Sequence, residues 1–206
     1  SENPSPQTAV ERQRMDADMV CVGFGPATGG FLTTLSRQLT KEDGTPRFES
    51  AVAPGMPLQI LCYERADDIG FGVSGVVTRG RALRGSFPDL DPAQVPLMAP
   101  VSEERLLYLL DPIGASHRSP LFRMADGLIR AFKWMLPYDE HAFRMPYIPP
   151  FLNKHGGFVL CMGQFNQWIG GQLMGSGAAQ IWPGTPVAEP LLDGRKVTGV
   201  RLADQG

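Results

Sequence analysis

Apolar positions along the chain fall into short continuous runs and helical stripes, separated by stretches rich in glycine and proline. Asp18-Met-Val-Cys-Val-Gly23 is a short apolar run ending in glycine, which predicts a buried parallel strand. A helix is predicted from about Pro26 to Leu39, where Phe31, Leu32, Leu35 and Leu39 recur at helical spacing. Lys41 to Pro57 carries Gly44, Pro46, Pro54, Gly55 and Pro57 and reads as an irregular insertion. Leu58-Gln-Ile-Leu-Cys-Tyr63 is a second predicted strand, closed by Glu64. From Gly70 to Pro100 the pattern gives long loops with short elements. Ser102-Glu-Glu-Arg-Leu106 predicts a helix start, with Ser102 as N-cap over an acidic first turn.

Pro120 to Leu136 carries the strongest helical pattern in the middle of the chain. Leu121, Met124, Leu128, Phe132 and Met135 form one apolar stripe there. Further on, Gly157 to Cys161 reads as a strand, Gln164 to Met174 as a helix and Ala179 to Trp182 as a strand. The last predicted element is a hairpin turning at Asp193-Gly194, with its second strand from Lys196 to Leu202. Strands alternating with helices make this an α/β chain. In that architecture further strands follow a hairpin of this kind, so the expectation is a fragment of a longer protein.

Gly23-Phe-Gly25-Pro-Ala-Thr28 lies between a predicted strand and a predicted helix, the context that a dinucleotide fingerprint requires. Gly23 allows the tight turn, and Gly25 lets the backbone approach a pyrophosphate resting on the helix N-terminus. Thr28 stands where Gly or Ala is expected, so the helix–strand crossing there is predicted to widen, with Gly29 and Gly30 relieving it. Glu64, at the end of the next strand, can accept hydrogen bonds from ribose hydroxyls. Its distance from Gly23 exceeds the usual ~20 positions, and the insertion at 41–57 accounts for the excess. Strand, glycine turn, helix, strand and terminal Glu together predict a nucleotide site in a Rossmann-like fold rather than a turn used only for packing.

Composition narrows the function classes. Nineteen Lys+Arg against twenty-one Asp+Glu give a net charge of −2, which supplies no general pull toward nucleic acid. No apolar run approaches the ~20 residues a membrane-spanning helix needs. Residues 1–14 are polar and read as a flexible leader without the apolar stretch of a secretory signal. Cys21, Cys62 and Cys161 each sit in an apolar segment and read as small buried hydrophobes. No C-x-x-C occurs, and His117, His141 and His155 lack ligand spacing, so no metal site is predicted and a reducing, cytoplasmic setting is expected.

More of the chain matches one family. Val22-Gly-Phe-Gly-Pro-Ala27 and Tyr63-Glu-Arg65 look like the flavin class of this fold. Val73-Ser-Gly-Val76, Ser86-Phe-Pro-Asp-Leu90 and Pro96 to Arg105 follow, then Asn153-Lys-His-Gly-Gly-Phe-Val159 and Met162 to Ile169. Their order and spacing resemble the N-terminal part of electron transfer flavoprotein–ubiquinone oxidoreductases, over about residues 17–202 with one gap. The resemblance implies an FAD/NAD(P)-binding Rossmann-like domain of the glutathione reductase type, incomplete here, with a β-rich flanking element. It further implies FAD as cofactor, a reduced electron transfer flavoprotein as donor and a quinone as acceptor. By that resemblance Gly23, Phe24, Gly25, Pro26 and Ala27 meet the FAD pyrophosphate, Glu64 and Arg65 the adenosine side, and Ser74 and Gly75 lie close to the flavin. The family carries an Arg where this chain has Cys161, which removes a cationic phosphate contact. Electron transfer through such a flavin needs no general acid or base, so no catalytic side chain is nominated.

Two other readings use the same residues. Val22-Gly-Phe-Gly-Pro26 also resembles the opening of N-hydroxylating flavin monooxygenases, which need NADPH, and no second glycine fingerprint follows. Thr28 and Cys161 also suit a non-catalytic module that has lost flavin. The segment at about 111–150 is longer than the family pattern needs and reads as an inserted helical segment. Its helix, 120–136, carries Arg123, Arg130 and Lys133 against Asp126, with Phe122, Phe132 and Trp134 nearby. Such a helix suits peripheral contact with the inner face of a membrane, or packing on its own domain with a solvated basic face. Ser74 and Ser102 have no His and carboxylate partners to form a triad. His117 reads as solvated and His155 as a structural hydrogen-bonding residue, while Phe165 and Trp168 sit at core spacing.

Overall fold

The computed structural model describes residues 12–71, 75–110, 119–139 and 141–204. Its centre is a sheet of three parallel strands in the order β1 (Met19–Val22), β2 (Ile60–Tyr63) and β9 (Gln180–Trp182). Helix α1 (Pro26–Leu39), with the bounds the periodicity predicts, makes the crossover from β1 to β2. Parallel neighbours demand such a crossover, because a two-residue turn cannot bring a strand back in the same direction. All four residues of β2 are buried, as suits the central strand. The edge strand β1 differs from its expectation: Val20 and Val22 face outward, with Val22 59% exposed. A sheet edge packs on one face only, and just Met19 and Cys21 meet the core.

Helix α4 (Met162–Gly175) lies beside α1 on the same face of the sheet. Between them and the strands sit Phe24, Leu32, Ile60, Cys62, Ile169, Leu173 and Ile181. Cys62 is fully buried, and desolvation first, then the neighbouring Cys21 and Glu64 charges, pushes its thiol up to about 12. It therefore stays protonated and packs as the small hydrophobe the sequence predicts. Phe165 is buried and Trp168 packs against the core, each ring meeting Phe87.

A second, antiparallel sheet in the order β3 (Gly75–Thr78), β8 (Phe158–Cys161), β4 (Ala99–Pro100) flanks this unit, with the short helix α2 (Arg81–Ser86) between β3 and β4. The acidic segment after β4 is not the helix its Ser-x-x-Arg pattern predicts. Its polar groups are taken elsewhere: the Val101 N–H donates to Gly157 O, Glu103 pairs with Arg105 and Arg144, and Glu104 accepts from the Lys154 N–H. These long-range partners hold it extended into β5 (Leu107–Leu109), which pairs with β7 (Ala142–Arg144) and, through it, β6 (Tyr138–Asp139).

Helix α3 (Pro120–Ala131) ends five residues before the predicted Leu136, the rest being turns. Its orientation is the larger difference. Its buried residue is Asp126, 6% exposed, whose Oδ1 accepts a 2.8 Å hydrogen bond from the Tyr108 hydroxyl. The apolar stripe points outward, with Leu121 70% and Met124 65% exposed.

The C-terminal hairpin pairs β10 (Val187–Asp193) with β11 (Lys196–Leu202). Asp193 belongs to the ladder opposite Lys196, so the two-residue loop is Gly194-Arg195. Gly194 has φ +59° and Arg195 does not enter the left-handed region, so glycine leads a II′-type turn one position beyond the predicted pair. In the leader, Arg12 pairs with Asp204 at 2.7 Å; residues 1–11 lie outside the described residues, as do His117 with the rest of 111–118 and residue 140 of the predicted inserted segment.

The insertion at 41–57 is anchored by one side chain. Asp18 Oδ1 accepts the Ala51 N–H and Oδ2 the Gln59 N–H, each at 2.7 Å. Hydrogen bonds from the Ser50 hydroxyl and then the Gln59 N–H hold its carboxyl below the usual range. A carboxyl lowered in the folded state adds stability above its unfolded value, and that stability is lost as pH falls through the folded value. Asp18→Asn is therefore expected to lower Tm at pH 7, with the gap to the wild-type chain closing as the pH drops below about 4. Thermal melts followed by circular dichroism across pH 3–7 check this.

Candidate functional site

The β1–α1 turn is built as a backbone cradle. Gly23 sits at φ +85°, a left-handed conformation that L side chains rarely adopt, and its N–H donates to Tyr63 O at 2.7 Å. Phe24 is buried beneath the turn and anchors it to α4. Gly25 is the N-cap of α1, Pro26 follows at the first helical position, and no side chain caps the helix. Pro26 has no N–H, and the Ala27 and Thr28 N–H groups, in the first turn at the positive end of the helix dipole, lack intrahelical acceptors.

Gly25 shows what this arrangement is for. Its φ of −103° and ψ of −176° are open to any residue, and a Cβ built there meets nothing within 4 Å. The bare backbone at 25 leaves open space over the N-terminus of α1. An anionic group with oxygens for the free N–H donors fits. Thr28 is half-buried, and Gly29 makes the close approach instead, where a Cβ would lie 3.3 Å from Ile169 Cγ2. Gly30 meets no such neighbour.

Glu64 reaches back to the same turn. Its Oε2 accepts the Phe24 N–H at 2.6 Å and its Oε1 the Ala66 N–H at 2.9 Å. A carboxylate has about four lone-pair sites, so two remain for ribose hydroxyls. The main chain around it is locked to β9, with Glu64 N–H donating to Trp182 O and Thr185 N–H to Glu64 O. Bracing the turn is a role that the sequence pattern, which marks only the ribose contact, does not reveal. Arg65 is exposed beside it.

The flavin-proximal pair predicted at 74–75 is described only in part, because Ser74 lies outside the described residues. Gly75 begins β3 opposite Cys161, whose strand runs into α4. Val76, Pro26, Gly30, Met162 and Phe165 line one apolar cavity of about 260 Å³. The cradle and the start of β3 thus meet at one place, separated by fifty positions in sequence. Among the described residues, no three metal-ligating side chains cluster.

No family model matches the chain. A probable electron transfer flavoprotein–ubiquinone oxidoreductase of Acinetobacter baylyi is 28% identical over 200 residues, covering 96% of this chain and 28% of that protein. The Pseudomonas aeruginosa electron transfer flavoprotein–ubiquinone oxidoreductase is 26% identical over 96% of this chain and 29% of its own length. The human mitochondrial one is 28% identical over 96% of this chain and 26% of its own. Among solved structures, a tryptophan halogenase from Shewanella frigidimarina aligns at TM-score 0.49 and 11% identity, over 91% of this chain and 40% of its own. A geranylgeranyl bacteriochlorophyll reductase-like protein from Thermoplasma acidophilum aligns at TM-score 0.48 and 16% identity, over 90% of this chain and 34% of its own.

Removing the Glu64 carboxylate leaves two backbone donors unpaired. Glu64→Ala is expected to cost roughly 2–3 kcal/mol of stability and Glu64→Gln about half that, since the amide keeps one acceptor oxygen. Urea unfolding followed by Trp fluorescence measures both. The resemblance read from the motifs thus holds across nearly the whole chain: it is similar in sequence to the electron transfer flavoprotein–ubiquinone oxidoreductases and spans a little over a quarter of their length.

Proposed function

We propose that this chain forms the dinucleotide-binding portion of an FAD-dependent oxidoreductase that takes electrons from a reduced electron transfer flavoprotein and passes them to a quinone. The observation that supports the reading is the cradle: open space over the bare backbone at Gly25, beside first-turn helix N–H groups and a braced carboxylate. Bound FAD supplies the electron-transfer chemistry, and the protein supplies position and field. The Ala27 and Thr28 N–H groups hold the pyrophosphate, with Gly23, Phe24 and Gly25 shaping its bed. Glu64 orients the adenosine ribose, and Arg65 stands at its exposed side. The donor and acceptor are proposed from the names of the relatives.

Purified full-length protein is expected to show the visible absorption bands of a flavin, or to acquire them on titration with FAD. Gly25→Val, which fills the cradle without straining the backbone, is expected to weaken FAD binding at least tenfold and leave Tm within about 2 °C of wild type. A colourless protein that binds no FAD at any concentration sinks the reading. Reduction by NADPH rather than by reduced electron transfer flavoprotein would favour the monooxygenase.

We also propose peripheral contact with an anionic membrane surface through helix 120–136. An outward apolar stripe with Phe122, Phe132 and Trp134 beside Arg123 and Lys133 supports it. Near an anionic surface each basic residue contributes about 1 kcal/mol. Replacing Arg123 and Lys133 together by Ser should therefore lower partition onto phosphatidylglycerol-containing vesicles roughly thirtyfold at low salt. Sedimentation with such vesicles, against neutral ones, measures it.

A further inference from the structure

Cys21 and Cys62 stand opposite each other in the central sheet. They are register partners in the parallel pairing of β1 with β2, and side chains at paired positions of such strands share one face. Both pack against the same core, Cys62 as a buried member and Cys21 as a half-buried neighbour. They are close enough that a charge on Cys21 raises the Cys62 thiol. Neighbouring strands lie about 4.8 Å apart, and a disulfide spans Cα separations of roughly 4.4–6.8 Å. The two thiols are therefore within bonding reach without a change of register. All three cysteines are free in this structure, and Cys161 ends a strand of a different sheet.

The two thiols differ in access. Cys62 is fully buried. Cys21 is half-buried on β1, whose one strand neighbour among the described residues is β2. A strand held from one side can shift by the fraction of an ångström that an S–S bond asks of it. A small oxidant meets the edge thiol first, and the buried thiol waits beside it, the arrangement of an attacking and a resolving cysteine.

We propose that Cys21 and Cys62 form a reversible dithiol–disulfide pair, oxidised by low-molecular-weight disulfides. The Cys21 thiolate attacks one sulfur of the small disulfide, whose S–S bond breaks, and one small thiol leaves with the proton that Cys21 gave up. Cys62, losing its own proton, then attacks the Cys21 sulfur, and the second small thiol leaves. Two protein S–H bonds give way to one S–S bond, and the small disulfide is reduced by two electrons to two thiols. A mixed disulfide on Cys21 carries no charge, so it removes one of the causes that hold the Cys62 proton and favours the second step. The bond takes away the Cys62 S–H donor that meets Gly23 O at 3.8 Å, so the oxidation state of the pair bears on the nucleotide turn. The pair itself stands independently of the flavin reading.

The test is chemical. Purified full-length protein is incubated with 2-hydroxyethyl disulfide at pH 8.5, quenched with acid, alkylated in denaturant and mapped by mass spectrometry. A peptide pair joined through Cys21 and Cys62 is expected, with Cys161 alkylated and all three thiols restored by dithiothreitol. Burial raises the Cys21 thiol, so its loss is expected to speed up about tenfold from pH 7 to pH 8, following the thiolate fraction. In Cys62→Ala the reaction is expected to stop at the mixed disulfide on Cys21. Both thiols still free after prolonged incubation of the wild type overturns the proposal. So does a wild-type adduct on Cys21 that never resolves, or a bond from either cysteine to Cys161 in place of the predicted one.

Discussion

Two hydrogen bonds from one carboxylate hold the centre of the molecule in place. Glu64 sits at the C-terminal end of the central strand and accepts the Phe24 and Ala66 N–H groups, one in the turn before α1 and one in the loop after β2. Both are charge-assisted and partly shielded from water, so each is stronger than an ordinary backbone bond. The Gly23 N–H bond to Tyr63 O continues the parallel ladder into the same turn. The cradle therefore stands as an extension of the sheet, fixed to β2 on one side and seated on α4 through Phe24. A helix N-terminus presented in this way needs no movement to receive an anion.

The remaining elements serve that arrangement at increasing distance. Helix α4 comes close because Gly29, Gly70 and Gly170 stand where side chains would hold it off. Strand β8 feeds directly into α4 and carries β3 alongside, which puts Gly75 and Val76 near Pro26. The Asp18 carboxylate ties the long insertion to the start of β1, so seventeen extra residues leave the β1–β2 register undisturbed. By contrast, α3 is held to its neighbours through Asp126 and Tyr108, a polar attachment that leaves the apolar stripe outside.

Two departures from the family pattern behave differently. Thr28 is accommodated: the close-packing position moves one residue along to Gly29, and the cradle is intact. Cys161 ends β8 beside Gly75 with no cationic side chain in its place. The loss there is electrostatic, and the α1 N-terminus is left as the main source of positive potential for a pyrophosphate.

The sequence by itself determined the elements whose physics is local. Helix α1, the strands around it, α4, β9 and the hairpin follow from periodicity and punctuation, and the glycine turn follows from backbone freedom at Gly23. The place of Glu64 at the end of the central strand was legible too, but its bonds to the Phe24 and Ala66 N–H groups were not. What the tertiary structure decided depends on partners far away in sequence. Ser102 to Arg105 has a helix-starting pattern, yet Gly157, Arg144 and Lys154 compete for its polar groups and win. The stripe of α3 is amphipathic in either orientation, and the buried Asp126, bonded to Tyr108, marks the side that faces in. Burial of Asn166 with its oxygen unpaired cannot be seen in a string of letters, since a polar residue between apolar ones is equally a surface position until the fold packs that face of α4 inward.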